Sequence, residues 1–77
     1  MSVAIFKLRD DEVEDVRVIM YNIRLKDSSF GYNIVKARDG NGYLLLVYGD
    51  DKDDAHRRAA WIWDKVFGKD RAYWVKE

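Results

Sequence analysis

Carboxylates are the side chains in this 77-residue chain whose number and spacing suggest a chemical role. They concentrate in residues 10–15, with five acids, and in residues 50–54, with four acids and one lysine. Because the formal net charge of the whole chain is zero, the other residues are strongly basic in sum. Dense carboxylates bind divalent cations, cap helices or contact a basic partner. Neither segment has EF-hand spacing, so we expect no metal site. We predict instead that a protein partner contacts Asp10, Asp11, Glu12, Asp50, Asp51, Asp53 and Asp54.

Residues suited to catalysis are few. His56 is the only histidine, and the serines are Ser2, Ser28 and Ser29. Catalysis needs a nucleophile or a titratable group with a positioned partner, and no serine has the sequence context of a nucleophile elbow. The chain has no cysteine, which excludes a disulfide framework, a thiolate zinc site and a cysteine nucleophile. We therefore predict that the protein is not an enzyme and uses no cofactor.

One short motif involves the second acidic segment. Tyr48-Gly49-Asp50-Asp51 is similar to the Tyr-Gly-Asp-Asp motif of RNA-dependent RNA polymerases, in which the acids hold metal between two strands. The resemblance covers four residues. Here the acids precede a predicted helix, and a chain of this length cannot contain a polymerase. We interpret the match as chance.

A helix predicted over residues 52–67 is the clearest element. Acids at its start cap free N–H groups and favour the positive end of the helix dipole. Gly68 stands at the usual left-handed position after its end. An apolar stripe at helical spacing faces the core and consists of Ala55, Ala59, Ile62 and Val66. The two alanines on this stripe would let the helix approach a sheet closely.

Trp61 lies on the side of this helix that faces away from the apolar stripe. Its neighbours there are charged: Asp54, Arg57, Arg58 and Lys65. A tryptophan ringed by charges is typical of the centre of a protein interface. The alternative is that Trp61 packs beneath the N-terminal segment or the C-terminal strand. The other two tryptophans, Trp63 and Trp74, are predicted to lie in the core.

A β-hairpin is predicted before the helix. Residues 32–38 and 43–48 are rich in strand-forming residues and flank the turn sequence Asp39-Gly40-Asn41-Gly42. Alternation gives one face, expected under the helix, to Val35, Ala37, Leu44, Leu46 and Tyr48. The other face is expected to be open and carries Tyr32, Ile34, Lys36, Arg38, Tyr43, Leu45 and Val47. Because this open face is also apolar, we expect it to bind a partner or a second copy of the chain, which would make a homodimer.

Residues 16–25 are ambiguous between a strand and a helix. β-branched residues favour a strand, as does the alternation of Ile19, Tyr21, Ile23 and Leu25. A helix is favoured by the spacing of Val13, Val16, Met20 and Ile23. Asp11 and Glu14 would then supply a capping box. We predict the strand, with further strands at residues 3–8 and 72–76.

Together these elements predict a single α+β domain over residues 1–77. In this two-layer fold, one helix in the C-terminal half packs on an antiparallel sheet of four to five strands, in the order β-β-β-β-α-β. If residues 16–25 are helical, the order becomes β-α-β-β-α-β, the split βαβ arrangement of ferredoxin-like folds.

Nucleic acid is the alternative partner. Three strands followed by a helix that reads Lys52-Asp53-Asp54-Ala55 and later Ala59-Ala60 resemble the second half of a double-stranded-RNA-binding domain, and also an AP2-type DNA-binding domain. The RNA-binding family places lysines at the start of this helix, whereas here acids would repel phosphate. The residues that would contact nucleic acid on the open sheet face and the helix are Tyr32, Lys36, Arg38, Tyr43, Arg57 and Arg58.

The leading prediction is a small, non-enzymatic interaction protein. Dense carboxylates on a rigid scaffold can occupy basic channels that normally hold phosphates. In size and charge pattern the chain is similar to small inhibitors encoded by phages and mobile elements, including anti-CRISPR proteins. We therefore predict a viral or mobile-element inhibitor of a nucleic-acid-handling complex, which acts through its acidic segments and an exposed Trp61.

Membrane association and export are not expected. The chain has no apolar run near the ~20 residues that a membrane-spanning helix needs. Its first residues lack the basic and apolar regions of a signal peptide. The expected location is the cytoplasm.

Overall fold

An antiparallel sheet and two helices form the domain in the computed structural model, which describes residues 1–67 and 73–76. The elements in chain order are β1 (Ser2–Leu8), α1 (Val13–Lys26), β2 (Tyr32–Lys36), β3 (Tyr43–Gly49), α2 (Lys52–Ile62) and β4 (Tyr73–Lys76). A π-helical turn at Trp63–Phe67 continues α2. The predicted α+β class and the antiparallel pairing are confirmed.

The strands lie in the order β2-β3-β1-β4, and each neighbouring pair is antiparallel. Directly opposite residues of antiparallel strands share a face. Phe6 of β1 and Leu45 of β3 are such a pair, and both are fully buried. On the other side of β1, Trp74 of β4 lies opposite Ile5. The side chain of Trp74, which was predicted to lie in the core, is outside the described residues.

Residues 16–25 belong to helix α1, so the predicted strand is wrong. The helix buries Val13, Val16 and Met20, which share one face at helical spacing. A strand would have placed Tyr21 and Leu25 on a covered face, whereas both are exposed. Strand preferences differ by only about 1 kcal/mol among residue types, and burying one large apolar side chain is worth about 1.5–3 kcal/mol. The element order is therefore β-α-β-β-α-β.

The start of α1 is organised by Glu12 instead of the capping box expected from Asp11 and Glu14. Glu12 is the N-cap residue, but its side chain makes no hydrogen bond to the helix. Its Oε1 accepts a hydrogen bond from the backbone N–H of Arg9 at 2.8 Å. This bond fixes the turn that leads from β1 into the helix.

The helices cover the hairpin face opposite to the one predicted. Alternation divides the strands as expected, but Leu45 and Val47 are fully buried in the core. Three more residues of their face pack against this core: Tyr32, Ile34 and Tyr43. The face expected under the helix is the open one and carries Val35, Leu44, Leu46 and Tyr48. Because both faces are apolar, alternation alone does not show on which side the helices lie.

The hairpin turn is confirmed, with a longer connection than the turn sequence alone. β2 ends at Lys36, and the N–H of Ala37 donates to the carbonyl of Gly42 at 3.1 Å. Gly40 and Gly42 have φ angles of 80° and 76°, which glycine adopts without strain. A Cβ at Gly42 would also overlap the carbonyl of Leu8 at the end of β1.

The predicted span of the C-terminal helix is confirmed, with α2 and the π-helical turn together covering residues 52–67. Ala55 and Ala59 are fully buried on the inner face of α2. A Cβ on Gly49 of β3 would overlap the backbone of Ala55, which shows how closely the helix approaches the sheet. The predicted cap at Gly68 lies outside the described residues.

Candidate functional site

A groove of about 790 Å³ runs between α1 and α2, and we call it the helix groove. Its apolar lining comes from Ile19 and Ile23 of α1, Phe30 of the connection to β2, and Trp61 of α2. Ligand pockets in proteins have volumes of about 300–1,000 Å³. The helix groove is therefore large enough to accept several side chains of a partner.

The helix groove arises because the two helices rest on the sheet at different heights. α2 meets the sheet through Ala55 and Ala59, and its backbone lies closer to the strands than that of α1. α1 packs through longer side chains, chiefly Val16 and Met20. Phe30, which is buried, lines the space that remains between the two helices.

Trp61 forms one wall of the helix groove. It is 44% exposed, whereas Phe30 is 6% exposed, and the two ring centroids lie 5.9 Å apart with the planes inclined by 55°. The guanidinium carbon of Arg58 lies 5.2 Å from the centroid of the Phe30 ring. Of the two alternatives for Trp61, the structure favours the exposed one, with one side of the ring resting on the core.

A compact ion-pair network occupies the α2 rim of the helix groove. Asp54 accepts hydrogen bonds from the backbone N–H of Asp50 at 2.9 Å and from the guanidinium of Arg57 at 3.0 Å. Nε of Arg58 lies 3.2 Å from Oδ2 of the same carboxylate. The Asp50 N–H, followed by Arg57 and Arg58, holds the pKa of Asp54 below its ordinary value. Asp54 is therefore ionised at neutral pH.

The α1 rim has one acid and one base next to each other. Oδ1 of Asp27 accepts hydrogen bonds from the hydroxyl of Ser29 at 2.6 Å and from its backbone N–H at 3.1 Å. These bonds hold the pKa of Asp27 below its ordinary value. Lys26 also lines the groove. Within residues 1–67, no carboxylate forms an ion pair with it.

The two acidic segments lie at opposite ends of the sheet. β1 and β3 are antiparallel, with Ser2 opposite Gly49 and Leu8 opposite Tyr43. The first segment follows Leu8 and the second follows Gly49, so they leave the sheet at opposite ends. Strands of this length extend about 20 Å. The structure therefore does not bring the predicted acidic contact residues together into one patch.

Several of these acids have structural partners. Asp51 is the N-cap of α2 and accepts a hydrogen bond from the N–H of Asp54 at 2.8 Å. Nε of Arg9 lies 3.4 Å from Asp11 and 3.6 Å from Glu12. The acids that are exposed and enter none of these bonds through their carboxylates are Asp10, Asp50 and Asp53.

The residues predicted for nucleic-acid binding do not share an open sheet face. Tyr32 and Tyr43 pack against the core on the side of the helices, so this part of the prediction is wrong. Nζ of Lys36 lies 4.7 Å from the centroid of the Tyr43 ring, and Arg38 is exposed in the hairpin connection. Arg57 and Arg58 lie apart from them, at the helix groove. The predicted alternation of side chains along the strands is correct, but the helices cover the face that was expected to be open.

Six residues of the helix groove were missed by the sequence analysis: Ile19, Ile23, Lys26, Asn22, Asp27 and Phe30. The first three recur every three to four residues, which is the spacing of one helix face. That signal was present in the sequence, but it carries meaning only once residues 16–25 are known to be helical. The groove also needs α2 beside α1, which is a tertiary arrangement.

No protein-family model, curated protein or solved structure matches this chain. Among the described residues, no cluster of three or more acidic or histidine side chains is arranged to hold a metal ion. Neither helix described here has the length and apolar character to cross a membrane.

Proposed function

We propose that this protein is a non-enzymatic interaction protein that binds another protein through the helix groove. The observation that carries this proposal is the half-exposed Trp61, which rests on the buried ring of Phe30 beside an open apolar groove. Tryptophan and arginine are enriched among the residues that contribute most to protein interfaces. Trp61 has Arg57 and Arg58 beside it on the same helix face.

The chemistry of the rim supports a binding role. A general acid or base works best when its pKa lies near the operating pH. The two carboxylates of the helix groove, Asp27 and Asp54, have lowered pKa values because each accepts hydrogen bonds from neighbouring donors. They are suited to orienting arginines and ordering the helix ends, and poorly suited to exchanging protons at neutral pH.

An inhibitory role against a nucleic-acid-handling complex is a more specific form of this proposal. It is favoured by the exposed carboxylates of Asp50, just before α2, and Asp53, in its first turn, which do not share the capping role of Asp51. In this form, the helix groove supplies affinity, and Asp50 and Asp53 contact basic residues that otherwise hold phosphate.

The fold proposed for this interaction protein is the ferredoxin-like type. The element order β-α-β-β-α-β and the sheet order β2-β3-β1-β4 support it. In such a two-layer fold both helices pack on one face of the sheet, so a groove between them lies on the surface.

Affinity capture tests the proposed function. Immobilised wild-type protein, Trp61→Ala and Leu25→Ala are each incubated with lysate of the cells that encode the protein. Leu25 is an exposed apolar residue of α1 outside the helix groove, which makes it a matched control. We expect one or more proteins to be retained by the wild type and Leu25→Ala and lost with Trp61→Ala.

Circular dichroism of each variant establishes that the fold is intact. If Trp61→Ala retains the same proteins as the wild type, the helix groove is not the binding surface. The inhibitory form is tested with Asp50→Lys/Asp53→Lys, which leaves the cap at Asp51 and the Asp54 network in place. Undiminished capture by this variant would exclude a role for Asp50 and Asp53 in binding.

A further inference from the structure

We infer that the segment bound in the helix groove is an acidic amphipathic helix of the partner protein. This inference rests on the proposed function, because it specifies the partner of the same groove. It follows from three properties of the groove: where its backbone hydrogen bonds go, which side chains form its floor, and which charges on its rim remain unpaired.

The first property is that the walls are helical. α1 and α2 use the N–H and C=O groups of their interiors within the helices, so neither wall offers a row of backbone partners to an extended peptide. A strand bound there would leave its own backbone groups unpaired where it is buried, at a cost of about 1–3 kcal/mol each. A helix satisfies its backbone internally. Docking into an apolar groove is a known mode of recognition for amphipathic helices.

The second property is the apolar floor. Ile19 and Ile23 lie one helical turn apart on α1, and Phe30 and Trp61 face them. Ile19 and Trp61 are both partly exposed, so each has apolar surface to cover. An amphipathic helix presents apolar side chains at i, i+3, i+4 and i+7, and such a stripe can cover the apolar residues that line the groove.

The third property is an excess of unused donors on the rim. Both carboxylate oxygens of Asp54 accept hydrogen bonds, from Asp50, Arg57 and Arg58, and the carboxylate of Asp27 accepts hydrogen bonds from Ser29. By contrast, Lys26 has no ion-pair partner within residues 1–67. Arg57 bonds through one nitrogen, and its side chain is 78% exposed.

The rim therefore offers positive donors on both walls, from Lys26 on α1 and Arg57 on α2, and its charged side chains sum to +1, with three bases (Lys26, Arg57, Arg58) against two acids (Asp27, Asp54). Charged groups across an interface are complementary in sign. The flanks of the occupant must then carry carboxylates. The acidic segments of the chain would instead contact a basic surface. The helix groove and the acidic segments would therefore bind different parts of a partner.

Two synthetic peptides test the inference by fluorescence anisotropy. Both are fluorescein-labelled and share a leucine stripe at i, i+3, i+4 and i+7, with glutamates on the flanks of one and lysines on the flanks of the other. We expect the acidic peptide to bind the wild type at least about tenfold more tightly than the basic one, a difference of about 1.4 kcal/mol. The preference should weaken as ionic strength rises.

Charge-reversal variants locate the preference. Lys26→Glu/Arg57→Glu is expected to reverse it. Arg24→Glu/Lys52→Glu changes the same number of charges on the same two helices, at exposed positions outside the helix groove, and is expected to keep it. Trp61→Ala is expected to weaken the binding of both peptides, because the apolar wall is common to them.

The outcomes separate this inference from the proposed function. Equal binding of the two peptides, or a preference that is lost equally in the control variant, overturns the acidic partner and leaves groove binding intact. If neither peptide binds while partner capture still depends on Trp61, the helical occupant is wrong and the proposed function stands. If partner capture does not depend on Trp61, both fail together.

Discussion

The ring of Trp61 rests on the ring of Phe30, with one residue at the surface and the other in the core. Tilted aromatic pairs of this kind contribute about 0.5–1.5 kcal/mol beyond the area they bury. The contact also restricts the orientation of the indole. In the proposed binding role, a side chain that is already ordered loses less conformational entropy on association.

Substitution of Trp61 should affect binding far more than folding. We expect Trp61→Ala to lower the free energy of unfolding by about 1–2 kcal/mol, because only part of its ring is buried. The neighbouring Ile62 is fully buried, and Ile62→Ala should cost about 2–5 kcal/mol. Urea unfolding followed by circular dichroism measures both values. Equal losses would mean that Trp61 is a core residue.

The inverted sheet face gives a second prediction from two adjacent leucines of β3. Leu45 is fully buried under the helices, whereas Leu44 points to the open face and is partly exposed. Leu45→Ala should lower the free energy of unfolding by about 2–5 kcal/mol, and Leu44→Ala by less than half of that. Thermal or urea unfolding of the two variants decides the matter. A larger loss for Leu44→Ala would put the helices on the other face.

The close approach of α2 to the sheet gives a third prediction. A Cβ at Gly49 would overlap the backbone of Ala55, but one at Gly31 would lie 3.6 Å from the side chain of Tyr48, an ordinary contact. Gly49→Ala should therefore destabilise the fold by about 1–3 kcal/mol through overpacking, and Gly31→Ala should be tolerated. The midpoint of thermal unfolding is the measurement. Equal tolerance of both changes would show that α2 lies further from β3.

The N-cap of α2 gives a fourth prediction. Asp51 accepts the N–H of Asp54, and Asp51→Ala should lower the free energy of unfolding by about 1 kcal/mol. Asp51→Asn keeps a side-chain oxygen at the cap and should restore most of the loss. Urea unfolding of the two variants separates capping from charge. If Asn is no better than Ala, the side-chain hydrogen bond does not stabilise the helix.

Acidification should destabilise the protein. The carboxyl of Asp54 has its pKa held below the ordinary value of 3.8, first by the N–H of Asp50 and then by Arg57 and Arg58. A group whose pKa is lower in the folded state stabilises the fold above its unfolded pKa, and this contribution is lost as the pH falls through the folded pKa. The free energy of unfolding should therefore decrease below about pH 4.

The same sign applies to Asp27, whose pKa is lowered by Ser29, and to Asp39, whose pKa is lowered by the N–H of Asn41. Urea unfolding between pH 7 and pH 2 measures the dependence. With Asp54→Asn, the free energy of unfolding should decrease less steeply as the pH falls. Asp53→Asn serves as a control, because Asp53 is a charged residue of the same helical turn that lies outside the Asp54 network. An unchanged slope in Asp54→Asn would contradict the assigned network.

Elements with strong local signals could be predicted from the sequence. Acids before the helix, alanines on its inner face and glycines in the hairpin connection each restrict the backbone over a few residues, so α2 and the turn follow from local chemistry. Residues 16–25 carry two competing patterns. The helix prevails there because Val16 and Met20 fit a space that only the folded sheet creates.

The exposure of Trp61 could be predicted because its position opposite the alanines of α2 is fixed by helical geometry alone. The helix groove could not, because its other wall is α1 and its floor is Phe30, and these meet Trp61 only in three dimensions. The two acidic segments could be recognised from a charge count, but their separation could not. The antiparallel register of β1 and β3 places them at opposite ends of the sheet.

The sequence by itself determined an α+β chain with a capped C-terminal helix, a glycine-rich hairpin and two acidic segments, because each depends on residues close together in the chain. Tertiary structure alone decided which sheet face is covered, which acids cap helices and which remain exposed, and where an apolar groove opens. Both hairpin faces are apolar, and the pairing of distant strands and helices selects between them. Burial in the assembled core therefore decides between arrangements that local sequence preferences do not distinguish.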